Sequence, residues 1–224
     1  MDRRGCDPEQ LLAELGQSYA KALIAGDEVG AEHAVREALD ARLSTAQIDD
    51  EIIAPALWLI GRLWARGEIS VADEHLATQI SLRVLALQRE ARRTARDRGN
   101  HKVLIAAPAG ELHTVALQMI ANLLRDAGYT VLMLGADVPP GALAECACRH
   151  EPEVICLTAT MPDVSDRVML GIHEVERGWP GAGYVIGGRG LSARMRARPR
   201  IHVCKRVSEV VDAADAVVKR AEFN

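Results

Sequence analysis

The sequence predicts an α/β protein in which an N-terminal four-helix bundle precedes a domain built on a five-stranded parallel β-sheet. Two observations carry this prediction. Over residues 7–98, apolar side chains recur at the spacing of one helix face, beginning with Leu11 and Leu15. Over residues 101–224, short runs of consecutive apolar residues alternate with amphipathic segments, which is typical of buried parallel strands joined by crossover helices.

Capping residues and glycines divide residues 7–96 into four predicted helices. The segments that begin these helices are Asp7-Pro8-Glu9-Gln10, Asp27, Ser44-Thr45-Ala46-Gln47 and Ser70. Pro55 is expected to bend the third helix, which runs to about Trp64, and Gly67 breaks the chain before the fourth. The fourth helix continues as a polar segment, Arg89 to Arg98, which we expect to be a solvated linker rather than a nucleic-acid site.

The second domain is predicted to contain five strands that alternate with four helices. The predicted strands cover 103–107, 130–134, 154–157, 184–186 and 201–203, and the predicted helices cover 114–127, a segment from about Gly141, 164–177 and 207–221. Buried parallel strands of this number indicate a flavodoxin-like (Rossmann-like) doubly wound sheet. Such a sheet binds ligands beyond the carboxyl ends of its strands, so a site is expected at that edge.

Composition restricts the classes of function. The 224 residues carry a net charge of -4, with 49% hydrophobic and 26% charged residues, so no basic surface for nucleic acid is expected. Five cysteines without a C-x-x-C spacing indicate reduced thiols rather than disulfides or a zinc site. No signal peptide is predicted, and no apolar run reaches the roughly 18 residues that span a bilayer. We therefore expect a soluble cytoplasmic protein without a membrane partner.

Three segments follow the first, third and fourth predicted strands and should share one edge of the sheet. They are Pro108 to His113, Thr158 to Met161 and Gly187 to Gly190. The first places a carboxylate two residues before an imidazole, and such a carboxylate orients a metal-ligating histidine. The second offers hydroxyl groups to a buried ligand. The third lets a bulky group approach the backbone, because glycine has no Cβ.

Each of these segments has an alternative interpretation. A loop histidine is usually a surface or capping residue, and a Gly-Gly pair after a strand is usually a turn. Their coincidence at one edge of the sheet favours a ligand site. Neither a G-x-G-x-x-G string nor a P-loop is present, so a dinucleotide or nucleotide site is not predicted.

These segments resemble the signature of cobalamin-binding domains, which is D-x-H-x-x-G followed by a serine motif and a Gly-Gly. The matching strings are Glu111-Leu112-His113-Thr114-Val115-Ala116, Thr158-Ala159-Thr160 and Gly187-Gly188, with glutamate for the usual aspartate and Ala116 for the usual glycine. The resemblance implies that His113 ligates cobalt in place of the cofactor's own dimethylbenzimidazole, and that the nucleotide tail lies past Thr158 and Gly187-Gly188. The cofactor-binding residues that it implies here are Glu111, Leu112, His113, Thr114, Thr158, Thr160, Gly187 and Gly188.

Residues 7–96 resemble the four-helix cap that precedes this domain in methionine synthase, corrinoid methyl carriers and light-sensing cobalamin repressors. Trp64, followed after nine residues by Glu74-His75, matches the Trp-x9-Glu-His string of the repressors. The resemblance implies that Trp64 packs against an adenosyl group on the upper face of cobalt. It also implies that Glu74 and His75 help to hold that group.

The chain departs from the light-sensing repressors at two points, and the tryptophans leave one alternative open. The repressors carry a histidine directly after the tryptophan, which captures cobalt after illumination, whereas this chain has Ala65. They also carry an N-terminal DNA-binding domain, for which few residues precede the first predicted helix, so no direct nucleic-acid partner is expected. Core packing is the alternative role of Trp64. Trp58 and Trp179 match no motif and are expected to be structural.

The resemblance favours an adenosylcobalamin-dependent light sensor, a stand-alone photoreceptor module, over an enzyme, and no catalytic residue is predicted. Light would break the Co–C bond, and the signal would pass through homo-oligomerisation or a downstream effector protein. A corrinoid methyl carrier is the second hypothesis, although such carriers contain a fuller G-D-x-H-D-I-G-x-N string than the segment Gly110 to Ala116. The third is a sensor that holds a bilin such as biliverdin besides cobalamin, since Ala65 leaves room beside the upper face.

Overall fold

The computed structural model describes residues 7–90, 101–191, 195 and 200–222. Within them, a helical unit precedes a unit with a five-stranded parallel sheet, so the predicted α/β fold class is confirmed. The chain divides into two compact units, with the boundary between Arg93 and Thr94. The part of the predicted polar linker that follows Glu90 lies outside the described residues.

Four helical stretches make up the described part of the first unit. They are α1 (Pro8–Ala25), α2 (Glu28–Asp40), a stretch that joins α3 (Thr45–Ile48) to α4 (Ala54–Ala65), and α5 (Val71–Glu90). Side chains cap their first turns: Asp7 accepts from the N–H of Glu9 at 3.2 Å, and Ser44 and Gln47 form a capping box. Gly26 ends α1 in the left-handed conformation, with φ of 65°.

A π-helical turn, Asp49–Ile53, joins α3 to α4, and Pro55 is the second residue of α4. Pro55 has no N–H to donate, and its ring would clash with the carbonyl of Glu51 in a regular α-helix. A wider turn accommodates both effects. The irregularity that we expected at Pro55 therefore lies in the turn before it.

The helical stretches pack around an apolar core. The largest fully buried side chains of this unit are Tyr19, Leu23, Ile48, Ile52, Ile53, Ile60, Ile80 and Leu85. Arg83 on α5 forms ion pairs with Glu28 and Glu32 on α2, both at 2.8 Å. Trp58 is 45% exposed, because it lies two residues before the buried Ile60 and so on the opposite side of α4. Trp58 therefore lies at the edge of the core rather than inside it, and its expected structural role stays a prediction.

The second unit alternates strands and helices as predicted. The strands are β1 (Lys102–Pro108), β2 (Thr130–Val138), β3 (Val154–Thr158), β4 (Gly183–Gly187) and β5 (Ile201–Cys204), and the helices are α6 (Val115–Asp126), α7 (Pro140–His150), α8 (Ser165–Gly178) and α9 (Val210–Glu222). Short 3-10 turns, Pro162–Val164 and Val207–Glu209, precede α8 and α9. The strand order is β2-β1-β3-β4-β5 and all pairs are parallel, which is the flavodoxin-like order.

The central strands bring the three predicted site segments to one edge of the sheet. β3 is buried along its whole length, and the register pairs Thr158 at its end with Gly187 at the end of β4. Trp179 has the structural role that we expected, since its indole N–H donates to the carbonyl of Pro152 at 2.9 Å and its ring packs on the core beside β3. Among the described helices, none is both long and apolar enough to cross a bilayer.

Candidate functional site

The loop after β1 carries a buried carboxylate at the carboxyl edge of the sheet. Glu111 is fully buried, and its two oxygens accept hydrogen bonds from two different loops. Oε1 accepts from the N–H of His113 at 3.1 Å and contacts Nδ1 of the same residue. Oε2 accepts from the N–H of Thr160 at 2.5 Å and from the N–H of Met161 at 3.2 Å. Glu111 therefore ties the loop before α6 to the loop after β3.

These hydrogen bonds keep Glu111 ionised despite its burial. Burial by itself would raise the pKa of this carboxyl group, because desolvation disfavours the charged form. The hydrogen bonds from His113 and from the N–H of Thr160 outweigh burial and hold the pKa below its usual value. An ionised carboxylate only accepts, so Nδ1 of His113 carries a proton, and the lone pair of the neutral ring lies on Nε2. This is the tautomer of a histidine that ligates a metal through Nε2.

Exposed apolar side chains lie next to Glu111 and His113. The side chain of His113 is 48% exposed, and Leu112 before it is 71% exposed. Met161, whose backbone N–H donates a hydrogen bond to Glu111, is 47% exposed. Thr114 follows at the start of α6, and its hydroxyl makes no capping hydrogen bond to that helix. Exposed apolar groups around an oriented imidazole suit a large ligand with an apolar surface.

Thr158, at the end of β3, buries a hydroxyl group that lacks a protein partner. The residue is 3% exposed, and Oγ1 has no hydrogen-bond partner within the described part of the chain. A buried polar atom left in this way costs about 1–3 kcal/mol, which a hydrogen bond to a ligand would offset. Thr160 differs from Thr158, because it contributes its backbone N–H to Glu111.

Gly188 and Gly190 press the loop after β4 against the loop after β3. A Cβ at Gly188 would lie 2.2 Å from the carbonyl oxygen of Ala159, and a Cβ at Gly190 would lie 2.2 Å from that of Met161. Gly188 also has φ of +113°, which disfavours any other residue. Gly187 is different, since a Cβ there would meet its nearest backbone oxygen at an ordinary 3.6 Å.

Two residues of this edge were missed by the sequence reasoning. Asp137, at the end of β2, accepts from the N–H of Gly110 at 2.7 Å and donates its own N–H to the carbonyl of Glu111 at 3.0 Å. Arg167 on α8 donates to the carbonyl of Ala109 at 2.7 Å. Asp137 comes after the predicted strand 130–134, which neighbours β1, so its place in the sequence could have identified it as a residue of this edge. No sequence signal pointed to Arg167, because its hydrogen bond to Ala109 depends on how α8 packs on the sheet.

In the helical unit, Trp64, Glu74 and His75 lie on either side of the turn between α4 and α5. Trp64 is 50% exposed, so core packing does not account for it. Oε2 of Glu74 lies 2.6 Å from Nδ1 of His75, whose side chain is 73% exposed. Oε1 of Glu74 accepts from the hydroxyl of Thr78 at 3.0 Å. Glu74 thus orients an exposed imidazole, as Glu111 orients His113 in the second unit.

Comparison with known families indicates the cofactor of this chain. A family model described as a B12 binding domain matches residues 101–218, and another with the same description matches residues 15–87. This chain belongs to the B12-binding domain family. Both units of this B12-binding protein are covered by the matches, which support cobalamin, a corrinoid, as the cofactor.

The B12-binding relatives include transcriptional repressors and corrinoid proteins. The HTH-type transcriptional repressor CarH of Myxococcus xanthus is 28% identical over 172 residues, which are 73% of this chain and 56% of that protein. Monomethylamine corrinoid protein 1 of Methanosarcina acetivorans is 22% identical over 150 residues, which are 66% of this chain and 69% of that protein. The chain therefore spans little more than half the length of the repressor.

A solved B12-binding structure shares the fold. The monomethylamine corrinoid protein of Methanosarcina barkeri superposes with a TM-score of 0.70 at 17% identity, covering 95% of this chain and all of that one. At this identity the likeness concerns the fold alone, which consists of a helical unit and a five-stranded parallel sheet.

The residues at the strand ends fit a cobalamin. His113 would ligate cobalt through Nε2, with its ring held by Glu111. The buried hydroxyl of Thr158 would form a hydrogen bond with the nucleotide tail, as donor or as acceptor. Gly187, which pairs with Thr158, would leave room for the tail, since a Cβ there meets nothing closer than 3.6 Å. The Cβ side of Gly188 is occupied by the backbone of Ala159 instead.

Replacing Thr158 by valine tests this fit. We expect the ligand-free protein to keep its stability or to gain about 1 kcal/mol, because the hydroxyl loses no partner within the described ranges of the chain. We expect affinity for cobalamin to fall about three- to tenfold, because one hydrogen bond to the tail disappears. Urea unfolding and calorimetric titration measure the two effects, with the exposed Thr130→Val as the control. Unchanged affinity would show that this hydroxyl does not contact the cofactor.

Proposed function

We propose that this protein is a light sensor that binds adenosylcobalamin and passes its signal by self-association or through a partner protein. The observation that carries the proposal is the group Trp64, Glu74 and His75 in the helical unit. A half-exposed indole and a carboxylate-oriented imidazole offer a stacking surface and hydrogen bonds to an adenosyl group. The similarity to the CarH repressor supports the same conclusion.

Light sensitivity would come from the cofactor and its readout from the protein. Adenosylcobalamin supplies a Co–C bond that visible light breaks. Trp64, Glu74 and His75 hold the adenosyl group in the dark, and they lose that ligand on illumination. A ligand shifts a conformational equilibrium by as much as its affinity differs between the two states, so loss of these contacts is the switching event. Ala65 offers no side-chain ligand to the metal after illumination.

The test is an absorption spectrum of protein reconstituted with adenosylcobalamin, recorded in the dark and after green light. We expect an irreversible change of the spectrum and, by light scattering on a sizing column, a change of molar mass. Protein loaded with hydroxocobalamin is the control, because it has no Co–C bond to break. A spectrum that light leaves unchanged rules the proposal out. Far-red absorbance after co-expression with a biliverdin source would add a bilin to the cofactors.

A variant of Trp64 tests whether the helical unit contacts the adenosyl group. Trp64→Ala is expected to lower the affinity for adenosylcobalamin about tenfold while affinity for hydroxocobalamin is unchanged, since the indole stacks on the adenosyl group only. Trp58→Ala is the matched control, because Trp58 lies on the same helix and is similarly exposed. Equal losses for both cofactors would place Trp64 away from the upper ligand.

A corrinoid methyl carrier is the second candidate function. The similarity to monomethylamine corrinoid proteins over two thirds of the chain favours it. Transfer of a methyl group from methylcobalamin on this protein to a thiol acceptor, with a partner methyltransferase present, would support it. A light-dependent change of molar mass without such transfer would leave the light sensor as the function.

A further inference from the structure

The side chain of Glu111 reaches further than the orientation of His113 requires. Oε1 of Glu111 alone contacts both the N–H and Nδ1 of His113. Oε2 is turned to the other side and accepts from the backbone of Thr160 and Met161. One carboxylate therefore serves two loops that are 49 residues apart in the sequence.

The loop that Oε2 binds is held by β4 from its other side. The N–H of Ala159 donates to the carbonyl of Gly187, and the N–H of Gly190 donates to the carbonyl of Ala159, both at 2.9 Å. Gly188 and Gly190 approach this loop so closely that a Cβ does not fit at either. The segment 158–161 is thus fixed between Glu111 and the glycines. The hydroxyl of Thr158, which finds no partner among the residues that the structure describes, lies at its start.

We propose that Glu111 is a positioning residue for the nucleotide tail of the cofactor as well as for the cobalt ligand. By fixing the segment 158–161, it sets the position of the Thr158 hydroxyl and of the wall past which the tail lies. It thereby gives this protein a preference for corrinoids that carry the tail over corrinoids that lack it. The proposal rests on the proposed binding of cobalamin.

Glu111→Asp separates the two tasks. An aspartate hydrogen-bonds readily to the N–H two residues later, so it keeps its contacts with His113. Its carboxylate is set back by one methylene, about 1.5 Å, and no longer reaches Thr160 at hydrogen-bond distance. Because charge-assisted hydrogen bonds are the stronger ones, the segment 158–161 loses its principal tie to the β1 side.

The first measurement uses the ligand-free protein. Amide hydrogen exchange of the wild type is expected to show protection at Thr160 and Met161, although both belong to a surface loop. In Glu111→Asp their exchange should be about tenfold faster or more, as expected for the loss of a hydrogen bond to a charged group. The matched control is Glu153→Asp, since Glu153 accepts from the N–H of Lys102 at 2.7 Å in the same way at the opposite edge of the sheet. Unprotected amides in the wild type would overturn the proposal without any variant.

The second measurement compares cobalamin with cobinamide, a corrinoid without the nucleotide tail. Glu111→Asp is expected to bind cobalamin about tenfold more weakly and cobinamide no more than about twofold more weakly, so that the preference between them collapses. Glu153→Asp should change neither affinity. Equal losses for both corrinoids would overturn the proposal, because they would place the whole effect on His113. If the wild type binds no corrinoid, the proposed function fails, and the exchange data still show whether Glu111 fixes the loop.

Discussion

Replacing His113 by alanine is expected to lower the affinity for cobalamin about 100-fold or more. Loss of a residue that merely orients a metal ligand costs 10- to 100-fold in affinity, and here the ligand itself is removed. The fold should survive the change. Glu111 keeps the N–H groups of Thr160, Met161 and residue 113 as donors, so its buried charge stays hydrogen-bonded.

The measurement for His113→Ala is a titration with hydroxocobalamin, together with the absorption spectrum of whatever remains bound. The bound cofactor should retain its dimethylbenzimidazole or a water as the lower ligand, which gives a spectrum different from that of the wild type. His173→Ala is the control, since His173 is an exposed histidine on α8. A variant that binds with wild-type affinity and spectrum would remove His113 from the metal site.

Replacing Gly188 by alanine is expected to lower the free energy of unfolding by about 3 kcal/mol. A non-glycine residue at φ of +113° is strained by about 1–3 kcal/mol. The new Cβ would also lie 2.2 Å from the carbonyl oxygen of Ala159, and such overpacking costs about 1–3 kcal/mol. Because the clash is with backbone, no rotation of a side chain relieves it, and the segment 158–161 must move.

Gly187→Ala is the matched control for Gly188→Ala. Its Cβ meets no atom closer than 3.6 Å and its φ is not in the left-handed region, so its stability should stay within about 1 kcal/mol of the wild type. Urea unfolding of the two variants gives the difference directly. Equal destabilisation by both substitutions would contradict the backbone contact of Gly188. Cobalamin affinity of Gly187→Ala then reports whether the tail lies beside this residue.

Local periodicity was sufficient to predict the secondary structure. The five strands of the second unit begin and end within a few residues of their predicted bounds, because uninterrupted apolar runs are long enough only for buried strands. The bundle was predicted from caps and glycines that act within one turn. Pro55 shows how far such a prediction reaches. The sequence predicted a bend at Pro55, whereas the irregular backbone is the π-helical turn that precedes it.

The side-chain pairs of the site were predictable only where the partners are close in sequence. Glu111 and His113 are two residues apart, and the sequence predicted that this carboxylate orients this imidazole. The contact between Glu74 and His75 was not predicted, because adjacent side chains of a helix do not normally face each other. The exposure of Trp58 was not predictable from its apolar character, because it depends on which side of α4 packs on the core.

The sequence by itself determined the fold class, and it predicted the edge of the sheet at which we expect the site, with His113 as the proposed cobalt ligand. The tertiary structure decided that Glu111 also binds Thr160, that Asp137 and Arg167 support the loop, and that Thr158 has no partner for its hydroxyl among the described residues. The reason is the same in each case. Strand and helix patterns arise from neighbours along the chain, whereas these contacts join residues 27 to 58 positions apart, and only the packing of the strands and helices sets their distances.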